Sequence, residues 1–192
     1  MPPEPTAHLI RASVAAFDAD PRTSAPDAAL SLVFRSYPKN TDLPAVLLKV
    51  ATLNALYATN IYGLFDVAAH IVRARVDEAL ARGSHEVIET IACVEIGGRR
   101  RRNYSFATKY CSWHDPDAYP IFDKFVNNML LAYKAECSFA DFRESDLRKY
   151  PSFVDVLSQF REYYRLAGFS LRELDKFLWW QGREQLKVTA GA

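Results

Sequence analysis

Asn103-Tyr-Ser-Phe-Ala-Thr-Lys109-Tyr-Cys-Ser-Trp-His114-Asp-Pro116-Asp-Ala-Tyr-Pro120-Ile-Phe-Asp123 contains the break from which the rest of the chain is read. Residues 105–113 hold neither Gly nor Pro and predict a helix, whereas Pro116 and Pro120 stop it and make the chain restart around Ile121-Phe122. Lys109 therefore falls on one helix, and Asp123, 14 positions on (123 minus 109), at the start of the next. Phe106, Tyr110 and Trp113 flank Lys109. A lysine among aromatics loses hydration, which favours the uncharged, nucleophilic amine. The same residues have a plainer reading, in which Lys109 snorkels past core aromatics and Asp123 caps the following helix.

Helical periodicity extends in both directions from this stretch. Downstream, Phe125, Val126, Met129, Leu130 and Tyr133 form one stripe starting at Asp123. Residues 141–149 read as a turn-rich connector, Pro151 as the first turn of a helix ended by Gly168, and Ser170 with Glu173 as a capping box for a last helix over 171–186. Upstream, Asp42 opens a long helix in which Leu43, Val46, Leu47, Val50, Leu53 and Tyr57 recur on one face. That helix ends around Asn60 and Gly63. Residues 64–72 follow with His70 inside them, then helices over 76–80 and 86–96. Residues 20–26, with two prolines, predict a loop, and Asp27 a cap for the helix after it. The expected fold class is all-α, with no strand alternation and no repeat. Residues 1–26 are expected to be a mobile segment with a short helix, and 27–188 one all-α domain, either a single body or two lobes with the site between them.

Composition excludes several function classes. Lys plus Arg number 24 against 23 Asp plus Glu, a net charge of +1, so a nucleic-acid partner must be held by a local patch and not a global field. The patch on offer is Gly97-Gly98-Arg99-Arg100-Arg101-Arg102, four guanidiniums suited to phosphate, or else a solvated loop. The three cysteines lack C-x-x-C spacing, which argues against a disulfide framework and a thiolate metal site and for reduced, buried thiols. Cys111-x-x-His114 with Asp115 and Asp117 has no second cluster, so no metal and no cofactor is expected. Neither a signal peptide nor a membrane span is evident, which predicts a cytoplasmic protein with no membrane partner. No dinucleotide, Walker, nucleophile-elbow or zincin motif is present.

In this order, the features resemble the helix-hairpin-helix DNA glycosylase superfamily, nearest its 8-oxoguanine branch. Residues 47–61, ending Thr59-Asn60-Ile61, look like that family's long apolar helix and turn. Phe106-Ala107-Thr108-Lys109 looks like its hairpin and catalytic lysine, and Pro120-Ile121-Phe122-Asp123 its catalytic aspartate segment. The likeness covers 43–126. Two glycines precede the lysine in that family, whereas Ser105-Phe106-Ala107 stand here, and the Lys–Asp interval is shorter. The resemblance implies an all-α glycosylase fold and a partner of double-stranded DNA carrying a damaged or modified base. It implies base excision with AP-lyase activity through Lys109 as nucleophile and Asp123 as charge stabiliser. Asn60 and Arg99 to Arg102 would contact the DNA, and Phe106, Tyr110, Trp113 and Tyr119 would line the base pocket. The alternative is a non-catalytic helical module that binds DNA or protein on the same scaffold.

Overall fold

A computed structural model describes residues 2–190, with side chains to 186. Among the described residues the chain is mostly helical, with one two-stranded sheet. Its contacts divide it into two units, residues 22–119 and a second made of 2–21 with 120–190.

In the 22–119 unit, α2 (Pro21–Ser36), α3 (Leu43–Leu56), α4 (Leu64–Ala74), α5 (Asp77–Ala81) and α6 (Glu86–Ala92) lead to β1 (Cys93–Ile96), β2 (Arg99–Arg102) and α7 (Tyr104–His114). Two expectations are corrected here. Residues 21–26 are not a loop but the first turns of α2. Proline at the first helical position loses no hydrogen bond, and Pro26 is tolerated inside the helix. Asp27 is then within the helix, where its carboxylate accepts a bond from the Tyr57 hydroxyl at 2.7 Å. The second correction is that 93–102 is neither helix nor open loop but an antiparallel hairpin pairing Cys93 with Arg102 and Ile96 with Arg99. Gly97 and Gly98, at φ 56° and 71°, supply the two positive-φ residues that a tight hairpin turn matching the strand twist demands. Asp42 does cap α3, accepting from the Ala45 amide at 3.0 Å, and Val46, Val50 and Leu53 are fully buried. His70 is satisfied on the Thr90 carbonyl at 2.6 Å, tying α4 to α6.

The other unit holds α1 (Ala7–Ala19), α8 (Lys124–Cys137), a 3-10 helix (Glu144–Arg148), α9 (Tyr150–Tyr163) and α10 (Leu171–Ala190). The N-terminal residues belong to its packing. Ser13 receives a bond from Gln181 at 2.9 Å, Asp18 pairs with Lys176, and the Tyr133 hydroxyl donates to the Pro3 carbonyl at 2.8 Å. Ser170 and Glu173 form the expected capping box of α10, each accepting from the other's amide. No described helix is long and apolar enough to cross a membrane.

Candidate active site

The α7 helix begins where the hairpin ends, the Asn103 amide donating to the Ala92 carbonyl at 2.9 Å, and stops at His114 ahead of Pro116. It buries nearly every residue it has, Lys109 included, which is only 5% exposed. The Lys109 ammonium donates to Ser105 Oγ one turn earlier at 3.1 Å and lies 5.8 Å from the centre of the Tyr57 ring. Tyr57 stands edge-on to Trp113 at 6.3 Å, so α3 and α7 together give the lysine its aromatic wall. Neither Ser105 nor Tyr57 is singled out by the sequence as a partner of this lysine. The i, i+4 spacing of Ser105 and Lys109 is the signal that points to the first of them.

Of the residues expected to line a base pocket, three are interior ones. Phe106 and Tyr110 pack ring to ring at 5.7 Å, at 1% and 0% exposure. Tyr119 is also fully buried and spends its hydroxyl on the carbonyls of Ala79, Leu80 and Ser84. Burial pushes that phenol up to about 12. Trp113 alone of the four is half-buried.

Asp123 belongs to the other unit. Its backbone is extended, and Oδ1 accepts from the amides of Phe125 at 2.9 Å and Val126 at 3.0 Å, so it caps α8 as its plainer reading expects. Serine caps nearly as well as aspartate but carries no charge. Asp123→Ser should therefore hold the urea midpoint to within about 0.5 kcal/mol, whereas Asp123→Ala should cost about 1 kcal/mol. A serine variant as unstable as the alanine one would show that capping does not set this position's contribution.

Asn60 is exposed at φ 54°, in a turn organised by Asn54. Asn54 Oδ1 accepts from Thr59 Oγ1 at 2.7 Å and from the Ile61 amide at 3.0 Å. The four arginines divide. Arg102 grips the Glu89 carboxylate through two nitrogens and lies 4.5 Å over the Tyr104 ring, which holds Glu89 below the usual carboxylate range. Arg99, Arg100 and Arg101 are exposed and make no ion pair among the described residues.

A polar cluster that periodicity does not reveal lies behind α7. Lys49, 0% exposed, donates to the carbonyls of Tyr37 and Lys39 and to Asn40 Oδ1 at 2.6 Å. Tyr110 donates to the same Oδ1 at 2.5 Å, and Asn40 Nδ2 donates to Asp77 at 2.6 Å and faces His114 Nε2 at 3.3 Å. Since Asn40 Nδ2 is a donor, His114 Nε2 must accept, which leaves its proton on Nδ1. Burial first, and the Lys49 charge second, draw His114 down to about 3 against the opposing pull of Asp77, while burial pulls Lys49 down to about 8. A shallow cavity of about 240 Å³ opens beside Lys39, Asp77 and His114 and touches none of the expected base-pocket residues. Below pH 6.5 the unfolded chain protonates His114 and the folded one does not, so stability falls with falling pH from about 6.5 toward 3. The wild type should lose about 2 kcal/mol between pH 7 and pH 5, and His114→Gln should lose much less, as read by urea midpoints at both pH values.

Cys111 is buried and its thiol is pushed up by that burial, while Cys93 and Cys137 are half-buried and free. Among the described residues no group of three His, Cys, Asp or Glu side chains is placed to hold a metal ion.

Residues 9–118 match the family HI_0787_N, N-terminal domain. The match runs through α7 and Lys109 and stops before Asp123. A protein of Haemophilus influenzae that carries the name "Uncharacterized protein" is 38% identical over 146 residues, 76% of this chain and 70% of its own length. No solved structure matches.

Proposed function

We propose, for a chain that belongs to the HI_0787_N N-terminal domain family, that it is a DNA glycosylase with associated AP-lyase activity, acting through Lys109. The supporting observation is the lysine itself, buried on α7 with the Ser105 hydroxyl as a hydrogen-bond acceptor and the Tyr57 ring 5.8 Å away. A base inside a duplex hides its glycosidic bond, so the nucleotide is extruded before chemistry. Lys109 first gives up a proton to water; its neutral amine then attacks the sugar C1′, the glycosidic bond breaks, and the base leaves with its electron pair and takes up a proton. Opening of the ring gives a Schiff base between Lys109 and C1′. Loss of a C2′ proton then expels the 3′ phosphate, and water releases the lysine. Arg99, Arg100 and Arg101 take backbone phosphate, and Asn60, exposed in its turn, contacts the duplex.

One observation favours the second reading, a non-catalytic DNA-binding module: Asp123 caps α8, accepting from the Phe125 and Val126 amides. The two separate on a panel of duplexes, each with one oxidised, deaminated or alkylated base, treated with alkali after incubation. The glycosylase reading expects strand breaks at one class of lesion. Breaks at none, with the duplexes still bound in a salt-dependent way, would leave the binding module.

A further inference from the structure

On the β1–β2 hairpin, alternate residues face opposite sides. The register puts Arg99 and Arg101 on the side of Ile96 and Val94, and Arg100 and Arg102 on the side of Glu95 and Cys93. Arg102 is taken by Glu89, and Arg100 stands opposite Glu95 in the register. Arg99 and Arg101 face no acid across the ladder. They are two residues apart, about 6.6 Å along the strand, which suits successive phosphates of one extended chain.

The turn after α3 closes against this same side. A Cβ on Gly63 would come within 2.4 Å of Ile96 Cγ2, and Ile96 is the register partner of Arg99. Beside that contact the chain exposes two rings, Tyr62 at 82% and Phe65 at 59%. Neither is frayed loop. Tyr62 is held between buried Ile61, whose amide and carbonyl both bond the Asn54 side chain, and the tight Gly63, while Phe65 is in the first turn of α4. Asp66, whose Oδ2 a Cβ on Gly63 would meet at 3.0 Å, is an acid beside this contact, and the guanidiniums of Arg99, Arg100 and Arg101 outnumber it and Glu95.

We infer that the Arg99–Arg101 face of the hairpin, with Tyr62 and Phe65 beside it, is a binding surface for single-stranded DNA, the arginines holding phosphates and the two rings stacking on unpaired bases. Stacked duplex bases present no face to such rings, so a duplex can engage only the arginines. Rings fixed by their backbone lose little freedom on binding, which suits them to the task. The inference rests on the DNA partner of the proposed reading and not on the lysine chemistry. It directs the enzyme to lesions in unpaired or locally melted DNA.

The test is fluorescence anisotropy of the full chain with labelled oligothymidine and with a duplex of the same length, over a range of salt. Wild type should bind the single strand at least about tenfold more tightly. Tyr62→Ala/Phe65→Ala should erase that preference with the salt slope unchanged, and Arg99→Ser/Arg101→Ser should lower the single-strand slope by about 1.4. All four positions are exposed, so circular dichroism should show folded variants. Equal binding of the two DNA forms, or a preference that survives loss of both rings, would overturn the inference. Single-strand binding by a protein that excises nothing would leave it intact and remove the glycosylase reading alone.

Discussion

Asn40→Ala should lower the unfolding free energy by about 3 kcal/mol, the largest stability loss expected from any one polar side chain here. Asn40 is 1% exposed, and its amide joins four elements at once: the turn before α3, Lys49 on α3, Asp77 on α5 and Tyr110 with His114 on α7. Removing it leaves the Lys49 ammonium one acceptor short, the Tyr110 hydroxyl without its acceptor, and a void. An orphaned buried polar group costs about 1 to 3 kcal/mol, and more when charged. Lys49→Met should be costly for the complementary reason, since it strands the Tyr37 and Lys39 carbonyls. The double variant should lose clearly less than the two single losses added together, because each removes part of the same network. A loss below about 1 kcal/mol for Asn40→Ala would mean that the cluster does not anchor α7.

The second large effect is chemical. Lys109→Gln keeps a long polar side chain that can still reach Ser105 Oγ but has no nucleophilic amine. Base excision and strand cleavage should drop by about a thousandfold or more, with the fold retained by circular dichroism and the affinity for undamaged duplex unchanged. Lys109→Arg should not rescue, because guanidinium stays protonated and cannot form a Schiff base. A lysine kept only for packing or charge would give the opposite pattern, tolerating arginine and weakening stability in proportion to any loss of function.

Much of this arrangement is legible from residue order. Pro116 and Pro120 define where α7 stops and α8 begins. Asp42 and the Ser170–Glu173 pair mark two further helix starts, because capping depends on local chemistry that tertiary packing seldom overrides. The hairpin is harder to see. β2 consists of four exposed arginines with no apolar alternation, and only Gly97-Gly98 with Val94 and Ile96 hints at a strand pair. Residues 21–26 mislead for a different reason: their prolines signal a loop anywhere except near a helix start, which is where they lie. Lys49 looks like an intruder in an apolar stripe. Its burial depends on Asn40 and on two carbonyls that no pattern of spacing announces. Lys109 on α7 and Asp123 as the cap of α8 are legible by type and position. The interior placement of Phe106, Tyr110 and Tyr119 is not, since an aromatic beside a lysine reads the same whether it lines a cleft or fills a core.

Borohydride reduction in the presence of duplexes carrying oxidised, deaminated, alkylated or abasic sites tests the central claim most directly, since it fixes a lysine–C1′ Schiff base as a stable amine. The account predicts a covalent protein–DNA adduct on at least one duplex, mapping to Lys109 by peptide analysis and absent from Lys109→Gln. No adduct on any duplex, or an adduct that persists in Lys109→Gln, would contradict it.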